Sequence, residues 1–163
     1  MSKITEIRIA ELFAGNEEHV ITTSGVGSCI VIVLHDRLAR VGGMAHAILP
    51  HAKEFRDETP LERDVSGRLF VKYADRAVDL LLAEVEALGA SKEHLVAKLV
   101  GGAHMFSLLE GDQHGVGWEN TMAARAQLAV HEITIETEVV GGTVGRNVHF
   151  DCASGIVEIV TKV

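Results

Sequence analysis

The sequence is poor in the residue types that crosslink or stiffen a small protein. Among its 163 residues are two cysteines and two prolines, and aromatic residues make up only 4%. Cys29 and Cys152 are too few for a disulfide framework, and a reducing cytosol keeps such thiols free. The core must therefore be built mainly from valine, isoleucine, leucine and alanine. A single domain spanning residues 1–163 fits this length.

Long apolar runs and basic clusters are also missing. No run reaches the ~18 residues of a membrane span, and the opening MSKITEIRIAEL mixes charged and apolar residues, unlike a signal peptide. The formal net charge of −8 argues against a nucleic-acid partner, which requires clustered lysine and arginine. We therefore expect a cytoplasmic protein with no direct membrane insertion.

The hydrophobic patterns predict an α+β domain with a mixed or antiparallel sheet and two main helices. The clearest helix covers residues 71–88, because its apolar residues recur every three or four positions and Gly89 occupies the C-terminal cap position. A second helix is predicted over 121–131, with Asn120 as its N-cap. The charged segment 51–69 is interpreted as a solvated loop. Strands are predicted over 4–10, 19–22, 29–34, 41–49, 95–100, 133–140, 147–151 and 156–162.

One candidate nucleophile, Cys29, lies where a segment of small residues meets a β-branched run. A buried strand would fix its Cα atom, while Gly25 and Gly27 would let a substrate approach the backbone. Successive amide groups in this segment, including those of Gly27 and Ser28, would be placed to stabilise an oxyanion. The segment therefore has the features required for attack on a carbonyl group.

The candidate base is His46, on the next predicted strand. If strands 29–34 and 41–49 pair as a hairpin, the thiol and the imidazole become neighbours. Only a thiolate attacks well, so we expect His46 to lower the thiol pKa below its ordinary ~8.5. Thr23 would orient the ring, as the third member of a triad does. The same residues also suit ordinary core positions, and the spacing alone leaves both interpretations open.

A series of short motifs runs in order along nearly the whole chain. They are Thr23 to Cys29, Gly42 to His46 followed by Leu49 and Pro50, Tyr73 to Asp75, Ala77, Lys98, Gly101 to Ala103, Met105, Phe106, Gly117, Asn120, Gly141, Gly142, Gly145, Arg146 and Gly155. Together they resemble the CheD family, the chemoreceptor glutamine deamidases. The sequence departs from the usual family pattern at Trp118–Glu119 and at Val139, which puts surface recognition in doubt but leaves the triad positions intact.

The resemblance implies that Cys29, His46 and Thr23 form a catalytic triad. It implies hydrolysis of glutamine side-chain amides on cytoplasmic helices of chemotaxis receptors, with no cofactor, and hydrolysis of receptor methyl esters is chemically close. The implied fold is an α/β/β sandwich similar to cysteine-dependent deamidating toxins. The implied protein partner, besides the receptors, is the CheC phosphatase.

Three other hypotheses concern the cysteines and histidines of this sequence. A non-enzymatic adaptor that binds CheC or a receptor would have no need of the thiol and the imidazole. A redox sensor would require Cys29 and Cys152 to approach within disulfide geometry. A metal site lacks support, because the histidines show no ligand spacing. These histidines include His104, His114, His131 and His149.

Overall fold

The structure is a computed structural model that describes residues 2–52, 63–104 and 115–162. These ranges contain both helices and strands. In chain order they are β1 (Lys3–Glu6), β2 (Glu11–Gly15), β3 (His19–Val26), β4 (Ile30–Asp36), β5 (Val41–Ala47), β6 (Leu69–Phe70), α1 (Ala74–Ala87), a 3₁₀ turn (Lys92–His94), β7 (Leu95–Gly101), α2 (Val116–Val130), β8 (Thr134–Val140), β9 (Arg146–Asp151) and β10 (Val157–Thr161).

The strands of these described ranges form two mixed sheets. The smaller has the order β1-β3-β9-β10, and the larger has the order β6-β2-β5-β4-β7-β8. One face of the six-stranded sheet packs against α1 and α2, and its other face packs against the four-stranded sheet. The predicted α+β class with two main helices is confirmed. The likeness to deamidating toxins stays a prediction.

Strand β4 is buried along its whole length. It is central in the larger sheet, so both of its faces are covered. Ile30, Ile32 and Leu34 point into the core shared with the helices. Val31 and Val33 point into the core between the two sheets. This arrangement explains the continuous β-branched run, since neither face of the strand meets water.

The predicted start of the second helix is wrong. Helix α2 begins at Val116, and Asn120 lies inside it with a fully buried side chain. The true start of the helix is not evident from the sequence, because glycine is unfavourable inside helices and Gly117 therefore argues against a helix there. In the structure Gly117 lies against the backbone of Gly102 and Ala103, where any side chain would collide. Close packing therefore outweighs local propensity at this helix end.

Other boundaries also differ from the prediction, and the first helix begins at Ala74 instead of at residue 71. The segment predicted as one strand over 4–10 contains only the short β1, and a separate strand, β2, follows it. Strand β3 continues through Ser24 and Gly25 to Val26, although these small residues predicted an irregular segment. Pairing with β9 holds Thr23 and Val26 on either side of these residues, where the register shifts, and the amide of Gly25 donates to the side chain of Asn147.

Parts of some predictions fall outside the described residues. Of the predicted loop 51–69, residues 53–62 are not described, and Leu69 and Phe70 form β6. The family motif residues Met105 and Phe106, and also His114, are likewise outside the described ranges. None of the described helices is both long and apolar enough to cross a membrane.

Gly101, at the end of β7, allows a close backbone approach to Cys29. Its φ is 116°, and a Cβ atom built there would collide with the carbonyl oxygen of Cys29 and with Val26. The next amide, that of Gly102, donates a hydrogen bond of 2.7 Å to the same carbonyl oxygen. The glycine pair therefore holds β7 directly against the start of β4.

This contact predicts that Gly101→Ala destabilises the protein more than Gly89→Ala. Gly89 has a similar φ of 109° but nothing within 4 Å of its Cβ position. Both variants carry the strain of a positive φ, whereas only Gly101→Ala adds overpacking, which we expect to cost about 1–3 kcal/mol more. Urea unfolding of the two variants measures the difference. Equal losses of unfolding free energy would contradict the close approach.

Candidate active site

The site lies between the two sheets. His46 is on β5 of the six-stranded sheet, and its side chain is fully buried. Thr23 is on β3 of the four-stranded sheet and is also buried. The Nδ1 atom of His46 lies 2.7 Å from Thr23 Oγ. The structure therefore brings together two of the three residues predicted as a triad, one from each sheet.

The hydrogen bonds of Thr23 determine the tautomer of His46. The Thr23 hydroxyl group has one proton, and it donates this proton to the carbonyl oxygen of Ile7 at 2.9 Å. Because a carbonyl can only accept, Thr23 Oγ must accept from the imidazole. The proton of neutral His46 is therefore on Nδ1, and the lone pair is on Nε2. The carbonyl of Ile7, which the sequence did not indicate, completes this chain of hydrogen bonds.

The Nε2 atom of His46 is buried and has no hydrogen-bond partner among the described residues. Burial lowers the pKa of this imidazole from 6.5 to about 4, because the charged form loses hydration. His46 is therefore neutral near pH 7. An unprotonated Nε2 with a fixed ring orientation is the form that a general base requires.

Cys29 lies immediately before β4, beside the strand of His46. The predicted hairpin is confirmed, since β4 and β5 are antiparallel with Val31 opposite His46. Val31 and Val33 face the core between the sheets, and the alternation of the strand assigns Cys29 to the same face. Diagonal neighbours on paired strands have Cβ atoms about 7–8 Å apart or somewhat less. The register therefore predicts that the thiol and the imidazole are neighbours, and Nε2 of His46 has no hydrogen-bond partner within the described ranges.

Cys29 is partly exposed. Burial raises the pKa of its thiol above the ordinary value. The prediction of a lowered thiol pKa is therefore wrong for the resting site. Burial therefore favours the neutral form of both the thiol and the imidazole, because dehydration disfavours either charge. These shifts do not favour a preformed thiolate–imidazolium ion pair.

The segment that precedes the thiol is held by its carbonyl groups. The carbonyl oxygen of Gly27 accepts from the amide of Ala103 at 2.9 Å, and that of Ser28 accepts from the side chain of Asn120 at 3.0 Å. In a trans peptide the N–H group points opposite to the carbonyl of the same plane. The amides of Ser28 and Cys29 therefore point away from these two anchors. This orientation leaves both amides available as hydrogen-bond donors.

Asn120 was predicted as a helix cap and instead contacts the site. Its side-chain amide bonds to the backbone before Cys29 and to the backbone after His46. A sequence pattern gives no sign of this contact, because it depends on where α2 crosses the ends of two strands. The buried position of Asn120, on the same helix face as Gly117 and Ala124, follows only from the correct helix start.

The second cysteine is placed far from the first. Cys152 is fully buried, and its Sγ lies 3.7 Å from the carbonyl oxygen of Gly42. Gly42 is at the opposite end of β5 from His46, roughly 13 Å away at ~3.3 Å per residue. Burial raises the pKa of the Cys152 thiol to about 12. This geometry opposes a disulfide with Cys29, which requires Cα atoms within about 7 Å.

No group of three or more histidine, cysteine or acidic side chains with metal-binding geometry occurs in the part of the chain that the structure describes. The polar atoms of the site are instead the thiol, the imidazole, a hydroxyl group and backbone groups. Such a set suits nucleophilic attack on a carbonyl carbon.

Comparison with known proteins now identifies the family. Residues 49–161 match the family model described as CheD chemotactic sensory transduction. The chain belongs to the CheD family. A Pyrococcus abyssi protein named probable chemoreceptor glutamine deamidase CheD is 37% identical over 160 residues, which cover 98% of this chain and 92% of that protein. The chemoreceptor glutamine deamidase CheD of Halalkalibacterium halodurans is 38% identical over 152 residues, covering 93% and 89% respectively.

The tautomer of His46 can be tested through Thr23. We expect Nε2 of the wild-type ring to be unprotonated near pH 7, with the proton on Nδ1. Thr23→Val keeps the shape but removes the acceptor, so both tautomers should be populated, whereas Thr23→Ser should keep the wild-type form. Nitrogen chemical shifts of ¹⁵N-labelled histidine distinguish the three cases. A wild-type ring protonated on Nε2 would refute the assignment.

The low pKa of His46 predicts a loss of stability in acid. The unfolded chain binds a proton near pH 6.5, but the folded chain resists protonation down to about pH 4. Neutral His46 therefore contributes fully to the free energy of unfolding above pH 6.5. This contribution, about 3 kcal/mol, is lost as the pH falls from 6.5 toward 4. Urea unfolding at several pH values measures this slope.

The matched variants are His46→Gln and His149→Gln, since His149 is exposed on β9. His46→Gln should flatten the dependence of unfolding free energy on pH in this interval. His149→Gln should leave it unchanged. An unchanged slope in His46→Gln would mean that another group is responsible.

Proposed function

We propose that this CheD-family protein is a cysteine-dependent glutamine deamidase that acts on the cytoplasmic helices of chemoreceptors. The observation that carries the proposal is the oriented imidazole, whose Nδ1 is held by Thr23 and whose Nε2 has no partner among the described residues, on the strand that pairs with the one following Cys29. The substrate class comes from the names of the relatives, which are chemoreceptor glutamine deamidases. A glutamine amide carbon is a suitable electrophile for a thiol nucleophile.

The first step is attack by Cys29 Sγ on the amide carbon of the substrate. As the carbon–sulfur bond forms, the thiol proton passes to Nε2 of His46, so no free thiolate is required beforehand. The oxygen of the tetrahedral intermediate accepts hydrogen bonds from the amides of Ser28 and Cys29. Of the two residues predicted to stabilise the oxyanion, Ser28 donates through its amide. Gly27 supplies the carbonyl half of the same peptide group, which orients that amide. Contacts of this kind tighten when substrate binds, which suits the looser resting geometry.

The second step releases ammonia. Protonated His46 donates its Nε2 proton to the leaving nitrogen, the carbon–nitrogen bond breaks and a thioester remains on Cys29. Throughout, Thr23 Oγ accepts from Nδ1 and stabilises the positive ring. A water molecule then loses a proton to Nε2 and attacks the thioester. The products are a glutamate side chain and the regenerated thiol, and a methyl ester would be cleaved through the same intermediate.

The residues that depart from the family pattern are on the surface. Trp118 and Glu119 are exposed on α2, and Val139 is on β8; Trp118 and Val139 are 46% and 37% exposed. Neither position contributes to the hydrogen bonds of the thiol or the imidazole described above. We therefore assign these positions to recognition of the receptor or of a CheC-like partner, and not to the chemistry. We include binding to CheC in this proposal.

A second candidate function is that of an adaptor that binds a receptor or CheC without catalysis. The raised pKa of Cys29 favours it, because a thiol without a prior ion pair is not activated at rest. The buried chain of Ile7, Thr23 and His46 disfavours it. Binding alone provides no reason to keep an unsatisfied Nε2 atom in a buried position.

The test is intact-mass analysis of receptor fragments coexpressed with the protein. Wild type should produce the mass increase of amide-to-acid conversion at glutamine sites and should release ammonia. Cys29→Ala should abolish both, because the nucleophile is lost. His46→Gln should reduce the rate by roughly 10²–10⁴-fold, which is the usual contribution of a general base.

The control variant is Cys152→Ala, which removes the other cysteine at a position remote from the site. It should retain the activity of any protein that remains folded. If Cys29→Ala modifies receptor fragments as well as wild type does, the catalytic proposal fails. If neither protein modifies them but both bind, the adaptor function is the correct one.

A further inference from the structure

Asn120 bridges two backbone segments of the site. It is on α2 with a fully buried side chain, and its Nδ2 atom donates to the carbonyl oxygens of Ser28, at 3.0 Å, and Ile48, at 3.1 Å. Carbonyl oxygens only accept, so the orientation of the amide is fixed by its two partners. One side chain therefore binds the peptide before Cys29 and the chain two residues after His46.

The bridge lies where the pairing between the two strands stops. The last register pair of β4 and β5 is Ile30 with Ala47. Beyond it the amide of Ile48 bonds to the carbonyl of Lys72 instead. Cys29 thus lies just outside the ladder that fixes the strand of His46. Beyond the last strand pair, the side-chain amide of Asn120 links the two segments in place of backbone hydrogen bonds.

The hydrogen bond from Asn120 to the carbonyl of Ser28 also fixes the direction of the Cys29 amide. The carbonyl of Ser28 and the amide of Cys29 share one peptide plane, so fixing the carbonyl fixes the N–H group. That N–H group points away from the side-chain amide of Asn120. It is also one of the two donors assigned to the oxyanion. A rotation of this plane would move both the nucleophile and its donor.

We infer that Asn120 is a positioning residue, which holds the segment of Cys29 in register with the strand of His46. The inference rests on the proposed function for its kinetic consequence, but the alignment of the thiol can be measured without substrate. The Oδ1 atom of Asn120 is buried without a donor among the described residues. Such an atom opposes folding, so general packing is a poor explanation for this residue.

The adjacent Thr121 provides a matched control. It is on the same helix and buried, but its Oγ atom donates to the carbonyl of Gly117, within α2. Thr121→Val keeps its shape and removes a hydrogen bond that joins no part of the site. Asn120→Asp keeps the shape of asparagine but presents a carboxylate, which cannot donate to either carbonyl oxygen. Asn120→Ala removes the bridge altogether.

The experiment compares these three variants in the Cys152→Ala background, so that Cys29 is the only thiol. The rate of alkylation by iodoacetamide is measured against pH in the folded proteins, and kcat and KM are measured on a receptor fragment. Asn120→Ala and Asn120→Asp should lower kcat roughly 10- to 100-fold with little change in KM, because the reacting groups are misaligned. Their alkylation profile should also shift along the pH axis. Thr121→Val should match the background protein in both measurements.

Several outcomes would overturn the inference. Folded Asn120 variants with normal kcat and a normal alkylation profile would show that the bridge is not required. A rise in KM alone would make Asn120 a substrate-binding residue. Failure of both variants to fold would make it structural. If Cys29→Ala is active, the proposed function fails, yet the alkylation profiles still decide whether Asn120 positions the thiol.

Discussion

The hydrogen bond between Thr23 and His46 is the interaction on which the site depends. It joins the two sheets through a polar contact inside an otherwise apolar interface. The carbonyl of Ile7 uses the only proton of the hydroxyl group, so the imidazole has one possible tautomer. The packing of the two sheets therefore determines which nitrogen of His46 is unprotonated. Without that packing the ring would have neither a fixed orientation nor a lowered pKa.

The rest of the site is arranged around the beginning of β4. Gly101 and Gly102 bring β7 against the carbonyl of Cys29, and Asn120 brings α2 against the preceding peptide. Each contact is made to a carbonyl group, so the amide groups on the opposite side of the chain remain available as donors. The thiol is thus held by backbone contacts from a strand and a helix, while its own side chain stays partly exposed.

Much of this arrangement was accessible from the sequence. The β-branched run after Cys29 and the glycine-started strand of His46 predicted the hairpin, because burial on both faces and a tight turn leave clear local patterns. Asn120 and Ile7 were not recognised as parts of the site. Their roles depend on distant contacts, with a helix crossing two strand ends and a loop closing over β3. The pKa of Cys29 was predicted in the wrong direction, since sequence spacing reveals proximity but not hydration.

The raised pKa of Cys29 has a consequence for the life of the protein in the cell. Peroxide and other oxidants react with thiolates, and susceptibility follows the ionised fraction and its access to solvent. A thiol that stays protonated at rest is therefore poorly attacked by them. Under the proposed mechanism, Cys29 would lose its proton only as the sulfur attacks an amide carbon. The raised pKa would then protect the thiol from oxidation between reactions.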